Sequence, residues 1–558
     1  MKIVEIAIHN FRSIADATIA IGDYSMLIGA NNAGKSNAID ALRVFYESLK
    51  YEPDRDFPKF PVTDDESWID IEYELTEAED ASLKDAYRRA DRRAKVRKVL
   101  RTSEKGADGK AKQGIYAYIG PSVSDEHFYG AKNVQQGKLG EIIYIPAVST
   151  LDEHTKLSGP SALRSLVGEI VKKLVQSSAA YRELSENFGN FAESFKQETT
   201  SDNRSIARLE TDINAEISEW EASFELAINP VSESDIVRNL VSFKILDKVL
   251  DKRMEPGQFG EGFQRHLVYA LIRLAARYQE APVVATKKEF SPRMTTLLFE
   301  EPEACLHPIQ QSSLARSLRA LAKRDGVQTI LTSHSPYFVS PNADELSSIA
   351  RLRRVEGRTH VGQLSADDVK TVFSENLKIN DLVRGTKYEA AEDDYREDME
   401  AVKYFLWLNP ERCGAFFAGH VLLVEGPTER VALNYLIDEG KIDSPRGGVF
   451  ILDCLGKFNL HRFMNLLGPL GVRHSVLFDG DGEKKPHAEI RNLIEASRGP
   501  HTVKVENFTD DIETFLGVPC TEKVRSDRKP QRLLLKLKEG SVKVDRIDSL
   551  AALVQGLL

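Results

Sequence analysis

The sequence has little cysteine, no long apolar run and no excess of positive charge. Its four cysteines, Cys305, Cys413, Cys454 and Cys520, stand far apart with no CxxC pair. That spacing excludes a zinc ribbon or a disulfide framework and fits a reducing cytoplasm. No stretch approaches the roughly 18 uninterrupted apolar residues of a membrane span. The opening MKIVEIAIHNFRS alternates like a strand instead of presenting an apolar signal core. With 75 basic against 85 acidic side chains the net charge is −10, so any nucleic-acid contact has to come from local basic patches. Internal repeats and low-complexity tracts are missing too. The expectation is a soluble cytoplasmic protein with no membrane partner.

What remains is globular: 558 residues, 42% hydrophobic, 29% charged and 8% aromatic. That length is too great for one core and implies two to four domains. The first 45 residues read as a strand from Ile3 to Ile8, a turn at His9 to Ser13, a second strand, an apolar run from Ser25, a glycine-rich loop and a helix from Lys35 to Leu49. Strand-like runs follow at Trp68 to Tyr73 and Gly114 to Ile119 around a very basic helical stretch, and Glu141 to Pro146 reads as a buried strand. From about Leu157 to Leu250 apolar residues recur at three- and four-residue steps (Leu163, Leu166, Val167, Ile170, Leu174), a helical insertion or arm. Strand signals return at Met294 to Phe299 and Gln328 to Leu331, as crossover helices between parallel strands require. The run Lys387 to Glu400 carries seven acids against two bases and reads as a solvated linker. Beyond it, apolar runs ending in acid (His420 to Glu425, Gly448 to Asp453, His474 to Asp479) alternate with helical stretches, a second and smaller α/β domain.

Two motifs carry nucleotide chemistry. Gly29-Ala-Asn-Asn-Ala-Gly34-Lys35-Ser36 fits GxxxxGK[ST], in which backbone N–H groups wrap phosphates, Lys35 reaches the β/γ-phosphates and Ser36 ligates Mg²⁺. In Thr295-Thr-Leu-Leu-Phe-Glu300-Glu301-Pro-Glu303 an apolar strand delivers two consecutive carboxylates, one for the Mg²⁺ shell (Glu300) and one to polarise the attacking water (Glu301). Thr332-Ser333-His334-Ser335-Pro336, after another strand, adds the His334 imidazole at the same phosphate edge.

Asn10-Phe11-Arg12, GANNAGKS, FEEPEACLHP and TSHSP occur in that order and together resemble the ATP-binding-cassette ATPase head. The branch is the one shared by chromosome-maintenance, double-strand-break-repair and OLD-family (overcoming lysogenization defect) proteins. The resemblance implies a dimer with ATP between one subunit's phosphate loop and the other's signature motif. It adds Arg12 and Asn31 to Gly34, Lys35, Ser36 and Glu300 around the nucleotide, with Gly262 and Gln264 from the signature candidate Gly260 to Arg265. Glu261 stands where that family usually has serine facing the γ-phosphate, which implies slow hydrolysis or weak head closure.

A second constellation lies toward the C-terminus. Glu425 ends a strand and Glu429 falls on the first helical turn, so both carboxylates can face one point. Asp479 and Asp481 follow another strand at i, i+2 spacing. Glu425, Asp479 and Asp481 form an oxygen-only ligand set suited to Mg²⁺ or Mn²⁺. This pattern resembles the Toprim domain of topoisomerases, primases and OLD nucleases. Asp511 and Glu513, with Glu429, can serve a second metal, the two-ion arrangement for phosphodiester displacement. In OLD nucleases a basic residue of a later Lys-Pro pair stabilises the transition state, and Lys529-Pro530 stands at that place. Two basic regions, Lys84 to Lys112 with twelve bases against four acids and Lys523 to Arg546 with nine against three, are candidates for neutralising DNA phosphates.

The combined expectation is an α/β protein: an ABC-type ATPase head (1–155 and 251–385) with a helical insertion as dimerisation arm (156–250), an acidic linker (386–414) and a C-terminal Toprim α/β domain (415–558). The resemblance implies an ATP-binding, Mg²⁺- or Mn²⁺-dependent DNA endonuclease, similar to Gabija-type and retron-associated OLD nucleases and thus to anti-phage effectors. Such nucleases form homodimers or larger homo-oligomers and occur alone, beside a helicase-like protein, or with a reverse transcriptase and its noncoding RNA. The alternative is a nucleotide-gated DNA-binding or sensor module with a vestigial Toprim site.

Overall fold

A computed structural model describes residues 1–105, 111–128, 139–146, 178–202, 204–216, 244–278, 294–340, 342–386, 396–445, 448–480, 486–518 and 528–558, with isolated positions between. Asp481, Cys520, much of 157–250 and the side chains of Glu261 and Arg265 lie outside the described residues. The chain divides into two units, Met1–Ala147 with Thr286–Leu558, and Val148–Ala285.

In the first unit an antiparallel sheet is built from β1 (Lys2–Phe11), β2 (Ile14–Ala20), β4 (Ser67–Glu74), β5 (Arg93–Arg101), β6 (Gly114–Ile119) and β7 (Ser122–His127), in the order β2-β1-β4-β5-β6-β7. A second sheet joins β3 (Tyr24–Ile28), β8 (Glu141–Ile145), β11 (Thr295–Glu300), β12 (Val327–Ser333), β13 (Ile349–Val355) and β14 (Arg358–Gln363), in the order β14-β13-β3-β12-β11-β8. All its neighbours are parallel except the β13–β14 hairpin. All five residues of β3 are buried, as a central parallel strand covered on both faces must be. The Lys35–Phe45 helix shares one apolar core with both sheets: its Ile39, Leu42 and Phe45 cluster with Ile6 and Ile71 of one and Leu298 and Ile330 of the other. Buried Gln328 on β12 clasps β1, accepting from Ile3 N at 2.6 Å and donating to Ile3 O at 2.8 Å.

Several expectations change. The first strand runs on through His9 and Asn10, and the turn is confined to Arg12 and Ser13; the first helix stops at Phe45 instead of Leu49. Glu141–Ile145 is the edge of its sheet and only Ile145 is buried, so it is not a buried strand. The basic stretch expected as a helix contains β5. There Ala94, Val96 and Leu100 turn inward while the bases meet acids of adjoining elements: Arg97 with Asp70 at 2.6 Å, Arg93 and Arg89 with Glu72, Lys98 with Glu47. Acids of the adjoining strand and Glu47 thus offset part of this positive charge and lessen what the surface offers DNA phosphates. The acidic run is no solvated linker throughout, because the Glu397–Trp407 helix buries Glu400 completely against the Arg462 guanidinium, at 3.0 Å from both Nε and Nη2. Helical spacing read from one segment cannot anticipate partners contributed by distant strands and helices.

The C-terminal sheet contains β15 (His420–Val424), β16 (Val449–Asp453), β17 (His474–Phe478) and β18 (Thr502–Asn507), all parallel, in the order β16-β15-β17-β18. Its central strands β15 and β17 are wholly buried while the edge strand β18 carries Lys504, Glu506 and Asn507, and the core gathers Leu422, Val424, Leu433, Leu477, Phe508, Leu533 and Leu550. The order reverses beside β15, and ligands of open α/β sheets bind at the C-terminal ends of strands at such a reversal.

The second unit includes the helices Ala179–Gln197, Ile206–Glu216 and Glu261–Tyr278 and a small hairpin of β9 (Ile245–Asp247) and β10 (Lys252–Met254). It runs beyond the expected insertion and carries Gly262 and Gln264.

Candidate functional site

The phosphate loop spans the end of β3 and the first turn of the Lys35–Phe45 helix. Gly34 caps that helix with φ 104°, and a Cβ there would lie 2.3 Å from Thr359 Oγ1; at Gly29, φ 145°, it would lie 2.1 Å from the Leu352 carbonyl. No side chain fits either position, so backbone N–H groups are left to line the loop. Lys35 is buried and folds back over its loop, donating to the carbonyls of Gly29 and Ala30 at 3.0 Å each. Burial lowers its pKa, while the charges of Glu301, Glu303 and Glu300 oppose that shift. Ser36 and Asn31 are exposed. Arg12 is committed elsewhere: its guanidinium donates to Asp56 at 2.8 Å and Asp40 at 2.6 Å.

Strands β11 and β12 bring the acids and the imidazole to the same edge. Glu300 accepts from the Tyr144 hydroxyl at 2.5 Å. Glu301 sits in the left-handed region, φ 42°, its N–H donating to Thr332 O at 3.0 Å, and strain at a non-glycine residue of this kind marks a held geometry. Its carboxylate lies 3.3 Å from His334 Nε2. Burial, then the charge of Lys35, lower the His334 pKa, against the pull of Glu301, so the imidazole tends to be neutral and able to accept a proton. Glu303 went unassigned in the sequence; it accepts from His334 N–H at 2.5 Å and its pKa is raised by burial. Its only signal was a third acid in Glu-Glu-Pro-Glu. Lys35, Glu300, Glu301 and His334 thus come together. Gly262 and Gln264 belong to the other unit, where Gln264 Nε2 donates to Phe259 O at 2.6 Å.

In the C-terminal domain Glu425 and Asp479 leave the adjacent strands β15 and β17, and Asp479 N–H points at Glu425 Oε2, 3.4 Å away. Glu429 is 4% exposed, with Oε2 accepting from Gly426 N–H at 3.0 Å. Burial pushes its pKa up to about 7, with Glu425 and Glu513 adding like-charge repulsion. Lys529 Nζ stands 3.6 Å from Glu513 and 3.8 Å from Asp511, which also caps the Ile512–Phe515 turn through Thr514 N–H. Sequence reasoning missed Lys457: it is 1% exposed and donates to the carbonyls of Asp479, at 2.7 Å, and Gly480, at 3.3 Å. Gly480 itself is obligatory, since a Cβ would meet Thr509 O at 2.3 Å.

Among the described residues no group of three or more His, Cys, Asp or Glu side chains is placed to hold a metal ion. The donor set nonetheless fits Mg²⁺ or Mn²⁺. Such ions keep several waters and need one or two carboxylates, and buried carboxylates that repel one another are relieved by a cation. The chemistry of the donors suits phosphate at one site and a hard cation at the other.

Comparison with known proteins agrees with both halves. A family model described as an AAA ATPase domain (AAA_15) matches residues 1–113 and 94–339, and one described as the TOPRIM domain of overcoming-lysogenization-defect-like proteins matches 416–481. The chain is similar to the Old nuclease of Escherichia phage P2, 23% identical over 503 residues, 86% of this chain and 77% of that protein. It is also similar to Endonuclease GajA of Bacillus cereus (strain VD045), 25% identical over 565 residues, 97% of this chain and 84% of that one. Among solved structures, an SMC head bound to the C-terminal winged-helix domain of ScpA aligns with a TM-score of 0.37 at 13% identity, over 66% of this chain and 100% of the other. No helix among the described residues is long and apolar enough to cross a membrane. The chain belongs to the AAA ATPase-domain family and, with an OLD-like TOPRIM domain following the ATPase head, is an OLD-family nuclease.

Proposed function

We propose that this nuclease is an ATP-binding, divalent-metal-dependent DNA endonuclease whose TOPRIM domain cleaves phosphodiesters under the control of the ATPase head. The observation that carries the reading is the convergence of Glu425, Glu429 and Glu513 beside Asp479 at the strand-order reversal of a parallel sheet. Bound Mg²⁺ or Mn²⁺ would supply Lewis acidity and an activated water. Glu425 and Asp479 are the ligands on one side, with Asp481 joining them by its spacing. Glu429, Asp511 and Glu513 serve a second position. Lys529 is placed to balance negative charge on the cleaved phosphate. In the head, Lys35 and Ser36 hold phosphate and Mg²⁺ with Glu300, Glu301 orients water, and His334 keeps Glu301 in place. A homodimer or larger homo-oligomer, a helicase-like or retron partner, and an anti-phage role rest on the family resemblance.

That no group of three or more such side chains among the described residues is placed to hold a metal ion favours the rival reading of a vestigial site. Nicking of supercoiled plasmid in Mn²⁺ by the full chain separates the two. The parent should nick, and Glu425→Ala with Asp479→Ala should lose cleavage by about 100-fold or more while binding ATP as before. A parent that never nicks overturns the nuclease reading in favour of the vestigial site, and a double variant that still nicks removes Glu425 and Asp479 as the residues of cleavage.

A further inference from the structure

The β13–β14 hairpin touches the phosphate loop on one side and the TOPRIM domain on the other. On the nucleotide side, Arg351 pairs across the sheet with Ile28, the residue just before Gly29. Leu352 O packs where a Gly29 Cβ would go, and Thr359 Oγ1 donates to Ala33 O at 3.0 Å inside the loop. On the other side the Arg351 guanidinium donates to three backbone carbonyls: Nε to Phe416 O at 2.9 Å, Nη1 to Gly471 O at 2.8 Å and Nη2 to Ala418 O at 2.8 Å. Two of these acceptors lie just before β15 and one just before β17. Val421 N–H, donating to Arg473 O at 2.9 Å, ties the two strand roots together. Gly362 of β14 lies against the same turn, so closely that a Cβ would stand 2.5 Å from Leu470 O.

We propose that Arg351 is a positioning residue that couples the phosphate loop to the carboxylate-bearing strands of the TOPRIM domain, an inference that rests on the nuclease reading above. Strands β15 and β17 are short and wholly buried, and they deliver Glu425 and Asp479 at their far ends. Five packed residues do not bend independently, so a shift at the root is carried to the tip. The guanidinium suits this task because its planar fork fixes three acceptors in one geometry, which a lysine ammonium on a flexible stem cannot. Arg351 is 7% exposed, and burial pulls its pKa down to about 10, so it keeps its charge at neutral pH. A movement of the loop on binding phosphate therefore has a continuous path: Ile28, Arg351, the roots of β15 and β17, and the two carboxylates.

Amide hydrogen exchange on the full chain, with and without a non-hydrolysable Mg-ATP analogue, tests the coupling without requiring cleavage. In the parent, the analogue should change exchange by at least about twofold in residues 29–40 and also in 414–421 and 468–474. In Arg351→Lys and in Gly362→Ala the change at 29–40 should persist and the change at the two TOPRIM roots should vanish. Plasmid nicking in Mn²⁺ is the second readout. Nucleotide-free nicking by Arg351→Lys should stay within about twofold of the parent, while the response to the analogue, in whichever direction the parent shows it, is lost. A parent whose roots ignore the analogue overturns the proposal, as does an Arg351→Lys protein that keeps the parent's response. If Arg351→Lys does not fold, the parent and Gly362→Ala decide. Absence of nicking in the parent counts against the nuclease reading alone, and exchange still judges the coupling.

Discussion

The two sites occupy the same kind of place, the C-terminal ends of parallel strands, and balance charge in opposite ways. In the head the chain supplies its own cation: Lys35 feels Glu300, Glu301 and Glu303, and its ammonium rests on loop carbonyls that a phosphate can replace. In the TOPRIM domain, among the described residues, the acids outnumber the bases that face them. Glu425 and Glu513 raise the charge cost of Glu429, Lys529 stands at the edge near Glu513 and Asp511, and buried Lys457 donates to backbone carbonyls. One site is therefore prepared for an anion and the other for a cation. The same fold element serves both because the partial charges at strand ends are small and the side chains set the sign.

The comparison can be broken most strongly at the head. Lys35→Ala removes the resident cation, and ATP affinity measured by equilibrium binding should fall about 100-fold, whereas Glu301→Gln should keep ATP and lose turnover by a similar factor. Hydrolysis at the parent rate by Glu301→Gln would mean that another acid, Glu303 being nearest to His334, orients the water. On the TOPRIM side, Lys529→Ala should slow nicking by about 10-fold and tighten Mn²⁺ binding, because a competing cation is gone. Slower nicking with unchanged metal affinity would place Lys529 on the DNA alone. Glu261→Ser, which puts back the residue usual in the signature motif of the family the sequence resembles, should raise steady-state phosphate release several-fold if like charge there slows hydrolysis; a variant no faster than its parent removes Glu261 as the cause of slow hydrolysis. The smallest effect on function is expected at β5. Arg97→Gln should lower stability by about 2 kcal/mol, since buried Asp70 loses its guanidinium and keeps the Tyr118 hydroxyl at 2.7 Å and Lys95 at 3.9 Å, yet leave DNA affinity unchanged in a filter-binding titration. A large loss of affinity there would restore β5 as a DNA surface.

What could be read from the sequence was whatever is local. The phosphate loop, the Glu300-Glu301 pair and Glu425 each follow directly from an apolar strand, so strand, turn and chemistry are written in consecutive residues. The basic stretch was misread because its neutralising acids, Asp70 and Glu72, are on another strand and Glu47 follows the first helix. Lys457 and Arg351 left no trace for a different reason: their acceptors are carbonyl oxygens, which every residue has. Glu400 looked like one more solvated acid until Arg462 came to meet it from a later helix. Composition gives the charge of a segment, and only topology gives its counter-charge.

The order of strands in the head also bears on how the chain is made. β3, which ends in the phosphate loop, has β12 on one side and β13 on the other, so a segment at residues 24–28 must wait for residues 327–333 and 349–355 before its backbone is paired. At ribosomal speeds that wait is roughly 15–60 s. The antiparallel sheet of β1, β2 and β4 to β7, complete by residue 127, has no such delay. On the ribosome the nucleotide pocket is consequently a late structure on an early scaffold. Substitutions that weaken β3 should lower the yield of folded protein during synthesis more than they lower the stability of molecules already folded.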